Sequence, residues 1–174
     1  MISIFRAQVL RKNSRSHYFK DRLNNRNPRL NGHETKSIFD NSYGKGRRPN
    51  HHGTLFAGKT AMWFVESGFI AAAGYAPPKN IVCLNIHGML FAKPIFIGTI
   101  IRFESKVVLA GKTSLVSYIK VVDNNSEDFL VDGFITFVHI DENSRRIPHG
   151  IVINPTDPED IALMEKAKSL LPEK

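Results

Sequence analysis

Residues 57–73 read AGKTAMWFVESGFIAAA, a stretch in which apolar side chains occupy nearly every helical face rather than a single stripe. A helix apolar all round is ordinarily wrapped by other elements. Gly74 is placed to end it, and Pro77-Pro78 bar its continuation. Asn50 to Thr54 form the loop that delivers its start. In its middle stands one carboxylate, Glu66, and a charge in apolar surroundings is costly unless it is paired, neutral or used.

Downstream of Pro78 the period changes from helical to alternating, and four strands are predicted in succession. The first runs from Ile81 to Phe91, with Val82, Leu84, Ile86 and Leu90 on one face. The second runs from Ile97 to Leu109, where Ile101, Phe103, Ser105, Val107 and Leu109 oppose Arg102, Glu104 and Lys106. Thr113 to Val122 and Phe129 to Ile140 complete the set, the last grouping Phe129, Val131, Ile135 and Phe137. Ala110-Gly111-Lys112 and Asp123-Asn124-Asn125 supply short turns, and connections this short imply antiparallel neighbours. A weakly alternating segment around Thr35 to Tyr43 is a candidate fifth strand. Near the end, Asp157 is placed as an N-cap, Pro158 as the first helical residue and Asp160 in the first turn of a short helix. One buried helix followed by an antiparallel meander implies an α+β domain whose sheet curls around the helix.

The chain has 174 residues, 42% of them hydrophobic, enough for one domain with a sizeable core. Its net charge of +8 suggests a polyanion partner until the charge is located. Residues 1–49 hold 12 Lys/Arg against 3 Asp/Glu, whereas residues 50–174 hold 12 against 13. The folded part is therefore close to neutral, which places nucleic-acid binding last among the readings. Residues 1–34 read as a basic, flexible arm, 35–153 as the domain and 154–174 as a C-terminal helix and tail. The arm is solvated in its plainest reading; Arg-rich, Ser-containing and poor in acids, it also has the composition of a mitochondrial transit segment. The expected location is thus cytoplasmic, with the mitochondrial matrix as the alternative. No secretory signal or membrane span is expected, because the apolar run from Ala61 to Ala73 is too short and is broken by Glu66. The single cysteine, Cys83, makes no disulfide framework, and a reducing compartment fits.

These motifs together resemble the hot-dog fold acyl-CoA thioesterases. Asn50, Gly53, Leu55-Phe56, Ala57-Gly58 and Glu66 follow that family's order of Asn, Gly, apolar pair, small pair at the helix start and acid two turns in. Phe91, Pro94, Gly98, Gly111, Thr113 and Ser114 resemble its later Phe-x-x-Pro, Gly and Gly-x-(Thr/Ser)-Ser run, and GFITFVHIDENSRRIPHG its last strand and tail. The resemblance covers about residues 47–150. Two departures stand out: Ala57-Gly58 replaces a commoner Gly-Gly, and many relatives carry an Asp where Val65 stands, one residue before Glu66.

The resemblance implies hydrolysis of acyl-CoA to a carboxylic acid and coenzyme A, in sites formed across a dimer or a trimer of dimers. Glu66 would serve as general base or nucleophile, its pKa rising on burial unless a hydrogen bond holds it ionised. Gly58 and Lys59 would present N–H groups to the oxyanion at the positive end of the helix. Asn50 would orient the water or the carbonyl, and Ser67 would be an auxiliary polar group. Gly53, Lys59 and the turn Lys112-Thr113-Ser114 would contact the substrate, the turn through the nucleotide phosphates. No cofactor is implied beyond the coenzyme A of the substrate, and no metal: His51-His52 has no acidic or histidine partner at ligand spacing. His87 reads as a hydrogen-bonded strand residue and Trp63 as core. Two other readings remain open here, a hot-dog hydratase or dehydratase and a non-catalytic acyl-CoA binder.

Overall fold

The computed structural model describes residues 35–40 and 52–171. In chain order these form β1 (Thr35–Asp40), α1 (Ala57–Ala73), a single 3-10 turn at Pro78–Asn80, β2 (Ile81–Phe91), β3 (Ile100–Ala110), β4 (Ser114–Asp123), β5 (Phe129–His139) and α2 (Pro158–Ser169). The five strands make one antiparallel sheet in the order β1-β3-β4-β5-β2. Helix α1 lies on one face of this sheet, its buried side made of Thr60, Phe64, Ser67, Gly68, Ala71 and Ala72. This is the arrangement expected of a hot-dog fold, with β1 at the edge where a fifth strand was sought.

Small residues set how closely α1 approaches. A Cβ on Gly68 would stand 3.0 Å from Ile119, and a Cβ on Gly133 would come within 2.3 Å of the Gly88 carbonyl oxygen and 3.1 Å of the Phe64 ring. Phe64 therefore packs directly over the backbone of β5. Around it Ile101, Phe103, Ile119, Val131, Ile135 and Phe137 form a buried cluster. Two pairs of polar groups lie inside this layer: the Ser67 and Ser105 hydroxyls share a hydrogen bond, and the Ser117 hydroxyl donates to the Gly68 carbonyl at 3.0 Å.

The other face of the sheet is partly covered by α2. Asp157 accepts from the Glu159 N–H at 2.8 Å, with Pro158 opening the helix, as the sequence signals require. Ala167, Leu163, Leu170 and Leu171 pack on Val108, Val116 and Phe134. An ion pair between Lys106 and Asp160 ties the first turn of the helix to β3.

Three expectations about pattern are corrected. Strand β3 starts at Ile100 rather than Ile97, because Gly98 adopts φ +86° and Thr99 N–H turns back to Phe96 O. A bulge between Val107 and Leu109 then sends Leu109 to the α2 side, away from the face it was assigned. Strand β2 is broken by irregularities at Cys83/Asn85 and Ile86/Met89, so Val82 pairs with Val138 while Ile86 pairs with Ile135, on opposite faces. Val82, Leu84, Ile86, Leu90 and Phe91 are exposed instead of half-buried, since β2 is the far edge of the sheet.

Candidate active site

Helix α1 begins without a cap. Phe56 occupies the N-cap position with extended backbone and no side-chain hydrogen bond, and the first turn contains no acid. Lys59 N–H donates to Phe56 O at 2.9 Å and Thr60 N–H to the same oxygen at 3.3 Å, while the N–H groups of Ala57 and Gly58 meet no acceptor among the described residues. The amides left without an acceptor among the described residues are thus those of Ala57 and Gly58. Lys59, expected as one of the pair, spends its amide in the tightened first turn. A Cβ on Gly58 would fall 2.6 Å from the exposed ring of Phe56, so glycine here leaves room beside the free amides. The Lys59 ammonium lies 4.8 Å from the Trp63 ring centre, over a half-buried indole that borders the core.

The loop before the helix is held by Leu55 N–H donating to Ile95 O at 2.8 Å and by a bridge between Thr54 and Phe96. Gly53 takes φ +72°, a conformation that favours glycine. These contacts set the Phe91-to-Pro94 run beside the helix start, where Thr54, Leu55, Ala57, Thr60, Phe91, Lys93 and their neighbours enclose a cleft of about 260 Å³. Asn50 and His51 lie outside the described residues.

Glu66 is exposed on the chain and meets no partner among the described residues. It continues an uncovered stripe with Met62 and Ile70, spaced four residues apart. The helix is therefore seated in the sheet by one side, with this stripe left uncovered on the chain. Ser67 stands elsewhere on the helix. About 100 degrees further round the helix, it is buried against Ser105 and takes no place beside Glu66.

The turn Lys112-Thr113-Ser114 sits at the opposite end of the sheet from the helix start. Ser114 pairs with Val138 and Ile81 with His139, whereas the chain next to the helix start is anchored near Leu130, which accepts from Ala92 N–H. A single chain does not bring this turn to Gly53, Gly58 and Lys59. Its own neighbours are two imidazoles. The Ile151 N–H donates to His149 Nδ1 at 3.0 Å, which leaves His149 Nε2–H to donate to Ser114 O at 3.1 Å. Thr113 O accepts from His139 N–H.

Both nitrogens of His149 are thus committed in the neutral form, and burial, with the His139 ring as a smaller contribution, holds its pKa below the ordinary value even though the Ser114 carbonyl favours the cation. In the unfolded chain the imidazole takes up a proton near pH 6.5, while native His149 takes it up only at a lower pH. Its contribution to stability is then full above that pH and is lost as pH falls through the lowered value. Urea midpoints are expected to fall between pH 7.5 and 5.5, and His149→Gln to flatten that fall; an unchanged slope would remove the assignment. His87 is similarly fixed, receiving from the Asn85 amide at 3.2 Å and meeting the Thr136 hydroxyl at 2.7 Å, the strand role read from the sequence.

Thr60 was not singled out by sequence reasoning. The signal was present, because Thr60 interrupts the core-facing series of Phe64, Ser67 and Ala71 with a hydroxyl in the first turn. Among the described residues no group of three or more His, Cys, Asp or Glu is placed to hold a metal, and no helix is long and apolar enough to cross a membrane.

No family model matches the chain. An uncharacterized acyl-CoA thioester hydrolase of Bacillus subtilis (strain 168) is 28% identical over 114 residues, which are 63% of this chain and 66% of that protein, just under two thirds of its length. Among solved structures, an acyl-CoA hydrolase of Staphylococcus aureus in complex with butyryl coenzyme A, coenzyme A and coenzyme A disulfide is 21% identical, with a TM-score of 0.68 over 79% of this chain and 80% of its own. An apo hexameric acyl-CoA thioesterase is 23% identical with a TM-score of 0.67, covering 79% and 87%. An acyl-CoA hydrolase of Bacillus cereus is 22% identical with a TM-score of 0.68, covering 78% and 82%. The chain has the hot-dog fold of these structures, and in sequence as in backbone its resemblance is to acyl-CoA thioesterases.

Proposed function

We propose that this protein is an acyl-CoA thioesterase whose sites each combine two copies of the chain. The observation that carries the reading is the separation of its two chemical elements. Glu66 lies eight residues beyond Gly58, about 12 Å along α1, too far for one thioester to meet both within a chain. A second chain with its helix antiparallel supplies Glu66 opposite the free amides of Ala57 and Gly58. The exposed apolar edge of β2 and the stripe of Met62, Glu66 and Ile70 are the surfaces such a partner covers. Several similar structures are described as hexameric, which a trimer of such dimers satisfies.

In this arrangement the amides at the helix start receive the thioester oxygen and stabilise the charge that gathers on it. Glu66 takes a proton from the attacking water, or attacks the carbonyl itself and yields a mixed anhydride that water then opens. The C–S bond breaks, coenzyme A leaves as its thiol and the acyl group as a carboxylic acid. Asn50 orients the water or the carbonyl. Gly53 and Lys59 border the substrate at the helix start, and the Lys112-Thr113-Ser114 turn meets the nucleotide end from whichever chain places it there. A non-catalytic acyl-CoA binder would use the helix start without needing Glu66.

Thiol release from acyl-CoAs of increasing chain length tests the activity, and absence of turnover on all of them favours the binder. Complementation tests the shared site. Glu66→Gln and Gly58→Val chains, each inactive alone, are expected to recover about a quarter of wild-type activity when refolded together in equal amounts, since half of randomly paired two-fold dimers then hold one intact site. No recovery, with mixed dimers shown to form, places the site within one chain and overturns the shared-site reading.

A further inference from the structure

Thr60 is fully buried, and its hydroxyl has no hydrogen-bond partner, the one buried side-chain oxygen or nitrogen among the described residues in that state. It lines the 260 Å³ cleft together with Ala57, whose amide is also free. Three residues apart, the two stand on one face of the first turn, about 5 Å from each other along the axis. The remaining wall is formed by Leu55, Phe91, Ala92, Pro94 and Ile95 together with Thr54. Lys93 is engaged with Asp128 at 2.8 Å and brings no spare charge. Valine has the same shape as threonine and would leave no orphaned hydroxyl, so a threonine in this wall is explained by something that enters the cleft and bonds to it.

We propose that the cleft is the subsite for an acyl group bearing an oxygen, a hydroxyl or oxo substituent near the thioester, and that Thr60 is the residue that recognises it. This rests on the thioesterase reading: with the thioester oxygen at the amides of Ala57 and Gly58, the acyl carbons next in line run along the first turn, and an oxygen on the third carbon comes level with Thr60. Of the two threonines on this wall, Thr60 is the one whose hydroxyl lacks a protein partner, so it offers the single bond by which a short chain is discriminated. A plain alkyl chain leaves the hydroxyl unpaired, which is the arrangement that gives selectivity to a site built for a polar group.

The test compares 3-hydroxybutyryl-CoA with butyryl-CoA, by thiol release and by calorimetric binding, for wild type, Thr60→Val and Thr60→Ser. The expected result is a wild-type preference of about tenfold or more in kcat/KM for the hydroxylated ester, the scale of one hydrogen bond. Thr60→Val abolishes this preference and Thr60→Ser keeps it. A wild-type ratio within twofold of unity, or the same ratio in Thr60→Val as in wild type, overturns the proposal and leaves the hydroxyl to a trapped water. If neither ester is cleaved, the thioesterase reading fails by itself. The ratio of dissociation constants in wild type and Thr60→Val then decides the subsite: a preference present in one and lost in the other supports it, and equal binding in both overturns it.

Discussion

Glu66→Gln is expected to slow thiol release from acyl-CoA by at least about 100-fold, the usual contribution of a positioned general base or more. The substitution keeps the shape of the side chain and removes its capacity to take a proton or to attack a carbonyl. Because Glu66 is exposed on the chain and paired with none of the described residues, its loss leaves no buried partner unsatisfied. The thermal midpoint should therefore stay close to that of the wild type, and the change should fall on kcat more than on KM. A Glu66→Gln protein with undiminished turnover removes the catalytic assignment. A protein that loses activity together with its fold would show instead that the carboxylate is a structural group of the interface.

Phe64→Ala is expected to be the most damaging single change to the fold, costing about 3–5 kcal/mol in urea unfolding. The ring is completely buried and stands over Gly133, where no side chain can swing in to fill the space it vacates. Collapse is opposed from both sides, since β5 is already held at that point by the close approach of the Gly88 carbonyl. A loss below about 1 kcal/mol, smaller than almost any buried aromatic truncation, would mean that α1 sits higher on the sheet than described. Activity at low temperature should survive better in Phe64→Ala than in Glu66→Gln, since Phe64 faces the sheet and Glu66 faces away from it.

Much of this architecture is legible in the sequence. The change from helical to alternating period at Pro78 marks where the strands begin, although β2 crosses to the far edge to pair with β5 and only β3, β4 and β5 follow one another as the expected meander; the Gly111 turn, the Asp123 turn and the Asp157 cap fall where their chemistry requires. What periodicity could not carry was the bulge: one inserted residue at Val108 reverses the faces beyond it, and alternation in the sequence continues as though nothing had happened. The uncovered side of α1 was hidden for a related reason. Apolar character alone does not tell a covered helix face from an uncovered one, so Met62 and Ile70 read as core in the sequence. At the site, Gly58 and Glu66 were visible as residue types at a spacing. That the Lys59 amide is engaged while that of Ala57 is not depends on how tightly the first turn winds, and the burial of Ser67 depends on which face of the helix meets the sheet.

The irregular outer strand β2 has a consequence for how the protein is made. A newly synthesised chain that folds alone presents an open ladder edge flanked by Val82, Leu84, Ile86, Leu90 and Phe91, the kind of surface that templates unwanted pairing. Its bulges twist that edge out of the flat geometry that aggregates need. In the proposed dimer a like chain meets that edge, so yield in refolding should depend on concentration in two opposing ways: too dilute and the edge waits unpaired, too concentrated and it finds partners before the strand has taken its bent shape.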